Sequence, residues 1–570
     1  MTVSRAIEEE IEANKRAIAR LKREIFGVDK THQSRYIREF QSEFRRYRSI
    51  ASAEEVIDEA SRRDIVYFGD YHPLSASQDW VLRLMRELSA RGRKVVLALE
   101  MLYVHQQDSL DLWMRGRIGE AQFLEAIDYR SEWGFDWQSY RRIFELAKDP
   151  FIPIFGIDSE HRDNLKYIRR RDRLAARRIG TIRKFFPEHL ILVVVGESHV
   201  ASSHLPAAVR SELGRSGGDL VIVQNIDEIY WRLLRQGREN VEAVRVDGDR
   251  YCVFTSFPML KYRAYREIID RWVEGDEADA ITPFFHETIE TIHGFLAPKG
   301  KRPAIELANG RREALETVLP EVSRRSTYHA FSAHLRARKT DPREIVELLE
   351  HAKYDGMRYV PAMNALLVVK SDPARLIREA ARFVLHLMRG EIMERGGRRL
   401  PPFDQFYRTA VDEALVGFAA NVVNPSFDGV REDPLLGSLD ERGAVRSPAP
   451  RISMKETKAL IRVVRRFAEG GPASGAAHRT GGMDAALSGL GPKQRILVAR
   501  ALGARIGEAL HSSYHGGRVT REGIARLFSA RVDSPGASRA LYVRLAAAAR
   551  GRSAGPRRRP DERTGGSRPL

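Results

Sequence analysis

From about residue 55 the chain alternates short apolar runs with longer stretches of helical period. The runs are DIVYFG (64–69), KVVLALE (94–100), FIPIFGID (151–158), LILVVVG (190–196) and DLVIVQN (219–225). Four to eight apolar residues bounded by polar turns predict buried strands. Between the first two runs, Val81, Leu84, Met85 and Leu88 recur at helical spacing, with Ser75 or Ser77 as a cap and Gly92 as a stop. Strands alternating with helices predict an α/β fold, a mostly parallel sheet flanked by helices. VRVDGDRYCVFTSFP (244–258) predicts a closing hairpin with Asp-Gly at its turn.

Outside this region the period changes. Residues 1–50 read as charged surface helices, and 51–275 as the α/β domain. Beyond about 275 the strand signals stop, and the rest reads as a largely α-helical C-terminal half. It divides into helical domains at 276–430 and 431–550, separated by the loop 424–450 and interrupted by the Gly-rich stretch 469–484. The tail 551–570, rich in Gly, Pro, Arg and Ser, has no apolar period and reads as disordered.

Composition narrows the function classes. The 570 residues carry a net charge of +18. That balance permits contact with anions, but no nucleic-acid motif accompanies it, and no nucleic-acid partner is expected. The single cysteine, Cys252, excludes an intrachain disulfide and suits a reducing compartment. There is no signal-peptide pattern and no apolar run of about 18 residues, so a cytoplasmic protein without a membrane span is expected.

The chemistry sits where the apolar runs end. The first run leads into Gly69-Asp70-Tyr71-His72 and the fourth into Gly196-Glu197-Ser198-His199; the second ends at Glu100 and the third at Asp158. Composition predicts only about 0.16 chance occurrences of Gly-acid-x-His. In a parallel sheet these ends share one edge, the edge where α/β folds bind ligands. Asp70, His72, Glu100, Glu197 and His199 are therefore the candidate catalytic groups. His72, Glu100 and His199 are the candidate metal ligands, and Tyr71, Tyr103 and Asp158 candidate ligand-binding residues. Imidazoles and carboxylates suit a borderline divalent metal or general-base work, and a His or Tyr can ligate haem iron. The strand-end glycines are read as sharp exits that admit close approach.

Other patterns carry less. His286, Glu290 and His293 share a helical face, and Glu508, His511 and His515 repeat the acid-x-x-His spacing, but about two such matches are expected by chance. Cys252 lies in an apolar run and reads as structural. Trp133, Trp137 and Tyr140 read as packing residues, with one wall of a flat ligand's pocket as the alternative.

At these residues the sequence resembles the ChaN-like family, the haem-binding uptake branch of the Tiki/TraB/erythromycin-esterase superfamily. The matching stretches are FGDYH, ALEM (98–101), SEWGFDWQSYRRIFELAKDPFIPIFGID (131–158), RDRLAARRI (171–179) and VVVGESHV (193–200), in family order over about 55–260. The resemblance implies a parallel sheet flanked by helices. It implies haem or iron association in the ChaN branch and hydrolysis in the Tiki and esterase branches. Asp70, His72, Glu100 and His199 are the positions carried over, with Asp70 standing where the family usually has Glu. Three functions follow as expectations: a haem- or iron-associated binding protein, a hydrolase with or without a divalent metal, and a scaffold that meets a protein partner through its helical half.

Overall fold

The computed structural model describes residues 4–29, 34–148, 152–159, 162, 167–215, 217–274, 279, 281–297, 305–306, 312–392, 400–440, 442–469 and 485–549. The basic tail and most of the Gly-rich stretch 469–484 lie outside the described residues. The chain divides into two compact units, Asn14–Ala280 and Met1–Ala13 with Ile281–Leu570. Residues 14–50 thus go with the α/β unit, and the two stretches read as separate helical domains fall in one unit.

Eight strands build the sheet of the first unit: β1 (Ser49–Ala51), β2 (Ile65–Asp70), β3 (Val95–Tyr103), β4 (Ile154–Asp158), β5 (Leu190–Gly196), β6 (Asp219–Gln224), β7 (Ala243–Arg245) and β8 (Arg250–Val253). Their order is β1-β7-β8-β6-β2-β5-β3-β4. The pairs β2/β5, β2/β6, β3/β5, β3/β4 and β6/β8 are parallel, and β7/β8 closes the sheet as the expected antiparallel hairpin. Strand β1, too short for a periodic signal, adds an antiparallel edge on β7.

Alternation along the strands sorts the core into two layers. Val66, Phe68, Leu97, Leu99, Leu192 and Val194 face helices α1 (Ala53–Ser61), α2 (Ser75–Ala90) and α3 (Trp137–Lys148). Tyr67, Val96, Ala98, Ile191, Val193 and Val195 face α4 (Ile168–Phe185) and α5 (Leu205–Leu213). With both faces covered, the central strands are buried up to the half-buried Gly196 that ends β5, which is why they read as continuous apolar runs. Gly92, at φ +72°, ends α2 as expected. Neither Ser75 nor Ser77 caps it: the N-cap is Leu74, without a side-chain hydrogen bond, because Ser77 is wholly buried and its hydroxyl serves Asp70 instead.

The second unit is mainly helical, but it also holds strands where the sequence expectation has none, among them the pair Ile305–Glu306 and Arg312–Glu313. Strands Glu321–Arg324, Met357–Val360 and Ala365–Val368 form a small sheet. The last two are a four-on-four hairpin whose linker ends at Asn364 in the left-handed region, φ 46°. Each run is too short to stand out against the helical texture around it. Beside this sheet lies a buried ion network. Asp355 receives both terminal nitrogens of Arg500 (2.7 and 2.8 Å), while Glu413 receives Arg382 (2.9 Å) and Arg378. Among the described residues no helix is long and apolar enough to cross a membrane.

Candidate functional site

The register places the two tetrapeptides side by side: Asp70 on β2 pairs with Gly196 on β5. Asp70 is buried at 2 % exposure and faces the protein interior, where its carboxylate accepts from Gln78 Nε2 (2.7 Å), Tyr140 Oη (2.6 Å), Ser77 Oγ and His72 Nδ1 (2.8 Å). An ionised carboxylate only accepts, so His72 carries its proton on Nδ1 and presents Nε2 at the edge. The His72 ring lies 4.5 Å from Trp133 and 5.0 Å from Phe135, centroid to centroid, and its side chain keeps 19 % exposure. Asp70 is thus the positioning group of an Asp–His pair.

His199 has the opposite setting. It sits at 6 % exposure on the single turn Glu197–Val200, with Nδ1 2.6 Å from Asp172 Oδ1 and Nε2 3.3 Å from Glu100 Oε1. Burial disfavours its charge, but Glu100 and Asp172 outweigh burial and raise its pKa to about 10. Tyr36 closes the cluster: its Oη donates to Asp172 Oδ2 (2.8 Å), and its ring stacks on His204 at 3.6 Å.

Glu100 stands between the two histidines, at the irregular end of β3 where pairing with β4 slips between Leu99 and Tyr103. Oε1 accepts from Arg171 Nη2 (2.7 Å). Oε2 accepts from the Gly196 N–H and lies 3.8 Å from His72 Nε2. Burial pushes its pKa up, yet His199, Arg171 and His72 hold it well below the usual carboxylate range. Asp158 is taken by cations: Arg171 Nε and Nη2 at 2.9 and 2.7 Å and Arg162 Nε at 2.6 Å.

The remaining expected residues point elsewhere. Glu197 faces Lys261 Nζ at 3.7 Å, and burial raises its pKa. Tyr71 lies beneath the same Lys261, 4.9 Å from its ring centroid, with burial and Glu197 raising its pKa. Tyr103 is 5 % exposed; its Oη donates to Glu132 Oε2 (2.5 Å) and its ring lies under the Arg162 guanidinium at 4.0 Å. The edge therefore carries an open Asp70–His72 pair, a closed Glu100–His199–Arg171 cluster, and a separate Glu197–Lys261–Tyr71 cluster.

The donor atoms of His72, Glu100 and His199 do not all fall within 4.8 Å of one another; among the described residues only one such group does, in the other unit. A cavity of about 10 Å³ lies at Glu100, Arg171, Asp172 and His199, room for a water and no more. The strand-end glycines matter for space and not for φ, since neither Gly69 nor Gly196 has a positive φ. A Cβ on Gly196 would lie 3.1 Å from His72 Nε2 and 3.4 Å from Glu100 Oε2; one on Gly69 would meet Glu197 Cα at 3.2 Å.

The aromatic trio separates by role. Trp137 packs among Trp113, Phe123 and Phe144, Tyr140 serves Asp70, and Trp133 flanks His72. Arg171, Asp172, Tyr36 and Arg162 were not singled out from sequence. Arg171 and Asp172 open the matched stretch RDRLAARRI, where a charged pair beside buried alanines was the available signal. A cleft of about 720 Å³ lined by Lys15, Lys22, Arg45, Arg46, Trp231 and Arg235 was also not anticipated. Cys252 is wholly buried with its pKa pushed up to about 12, as a structural thiol requires. His286 Nε2 lies 3.0 Å from the Pro320 carbonyl oxygen, and burial lowers the pKa of His293.

Comparison with known proteins bears on this edge. No curated protein matches the chain. A solved structure titled "Cofacial heme binding to ChaN of Campylobacter jejuni" is similar at 16% identity, covering 35% of this chain and 91% of that chain, with a TM-score of 0.25. Residues 56–170, which include Asp70, His72, Glu100, Trp133 and Asp158, match the family model described as haem-binding uptake, Tiki superfamily, ChaN. That segment of the α/β unit is similar to the family that its strand-end motifs resemble.

Proposed function

We propose that the α/β unit is a haem-binding protein and that His72 is its ligand to iron. One observation carries this reading: Nδ1 of His72 is tied to Asp70 while the ring stays partly open between Trp133 and Phe135. A carboxylate on one imidazole nitrogen fixes the tautomer and makes the other a better iron ligand. The space above Gly196, which a Cβ would fill, leaves the approach to Nε2 clear. Aromatic rings beside the ligand suit a flat macrocycle. Haem, when bound, supplies the redox-active iron. Asp70 holds the Nδ1 proton, Ser77, Gln78 and Tyr140 hold Asp70, and Arg171 and His199 keep Glu100 ionised. The small cavity at Glu100 and His199 is too small for a porphyrin, so the reading concerns the open side of His72. Haemin titration tests it. A saturable Soret shift lost in His72→Ala is expected, and an unshifted wild-type spectrum overturns it.

A second reading keeps the same pair. An Asp–His dyad with an open Nε2 is also the arrangement of a general base that activates water. A hydrolase would cleave one member of an ester or peptide panel and lose that activity in His72→Ala; a panel without turnover ends this reading. The single cysteine makes the cytoplasm the compartment in which we place the protein.

A further inference from the structure

The second unit brings together three residues that sequence spacing left scattered. Helix α6 (Pro492–His515) carries His511 and His515 one turn apart, and the third residue, Glu10, comes from the N-terminal helix Arg5–Val28. Glu10 Oε1 lies 2.8 Å from His511 Nε2, and Oε2 lies 2.7 Å from His515 Nε2. Glu10 is wholly buried, His511 is 4 % exposed, and the His515 side chain keeps 11 %. The imidazole centroids stand 4.1 Å apart. Phe418 packs on His511 and on Tyr514, at 5.8 and 5.7 Å. The Tyr514 hydroxyl lies 3.3 Å from the Ala6 carbonyl oxygen and 3.1 Å from Glu9 Oε2, which fastens the first turns of the N-terminal helix beside the cluster.

We propose that Glu10, His511 and His515 form a binding site for a zinc-class divalent cation. All three donor atoms lie within 4.8 Å of one another. Two imidazole nitrogens and one carboxylate oxygen are a ligand set that such ions take, three protein ligands with a fourth position left for water. Ligands about 2.0–2.2 Å from one ion stand roughly 3.3–3.5 Å apart in tetrahedral geometry. The two present contacts run to different carboxylate oxygens, so re-aiming the Glu10 carboxylate brings one oxygen and both nitrogens onto one ion, which takes the place of the hydrogen-bonding protons. The cation would compensate a buried carboxylate while leaving both imidazoles neutral. It would also tie two helices whose ligands are 501 residues apart in sequence, so its role is a staple of this unit.

The test uses the full chain, stripped with chelator and dialysed against Co²⁺ or Zn²⁺. Bound Co²⁺ should give visible d–d absorption at one equivalent, and Zn²⁺ should raise the melting temperature. Glu10→Gln and His515→Gln should each weaken binding at least about 10-fold and abolish that rise. His72→Ala should keep the equivalent, which separates this site from the strand edge. A wild-type chain without a Co²⁺ band overturns the proposal, and so does a band retained unchanged in both variants.

Discussion

His72 and His199 end the same tetrapeptide, yet their surroundings give them different work. Removing His72 gives up a part-buried hydrogen bond to Asp70, and Asp70 keeps three other donors. His72→Ala should therefore cost only about 1 kcal/mol of stability. His199 joins the Glu100 and Asp172 carboxylates, so His199→Ala leaves buried charge poorly compensated and should cost about 3–5 kcal/mol. Denaturant midpoints of the two variants check the contrast. The pH dependence follows from the same pair. The folded pKa of His199, about 10, lies above its ordinary 6.5, so its contribution is full below pH 6.5 and is lost as pH rises toward 10. Glu100 is depressed below its ordinary 4.5, so its contribution is full above 4.5 and is lost on acidification. Denaturant melts of wild type should show falling stability between pH 6.5 and 10, and His199→Gln should flatten that arm. Sequence made the candidate acids and histidines legible because strand ends in a parallel sheet share an edge. It could not show that Asp70 turns inward, or that Arg171 and Asp172 claim Glu100 and His199, because those pairings depend on where α4 crosses the edge.

At the scale of elements, the strands of the sheet were legible because burial on both faces makes them continuous apolar runs. The edge strand Ser49–Ala51 and the hairpin 357–368 were not, since three or four residues carry too little pattern to outweigh their helical surroundings. The exit of β5 offers a test at this scale. Gly196→Ala places a methyl group between His72 Nε2 and Glu100 Oε2, where neither polar atom gains a partner. The backbone there has φ −52°, which alanine accepts, so the fold should persist. Haemin affinity should fall at least about 10-fold with the circular dichroism spectrum unchanged; undiminished affinity would show that the space is not used.

For the whole molecule, the division into two units separates the two proposed sites. The sequence marked the change of texture near residue 275, but not that the first 13 residues belong with the helical unit, because that membership depends on contacts across some 500 residues. The ion network around Glu413 and Asp355 holds that unit, and Glu413→Ala would strand Arg378 in the interior and leave Arg382 to Glu379. The expected cost is about 3–5 kcal/mol, visible as a lower melting midpoint, while the haemin titration of the α/β unit stays as in wild type. Whether His72 binds haem iron is read from haemin titration of the full chain, followed at the Soret band. A saturable red shift is expected in wild type, lost in His72→Ala and kept in Glu413→Ala. A wild-type spectrum identical to free haemin, or a His72→Ala titration that matches wild type, would contradict it.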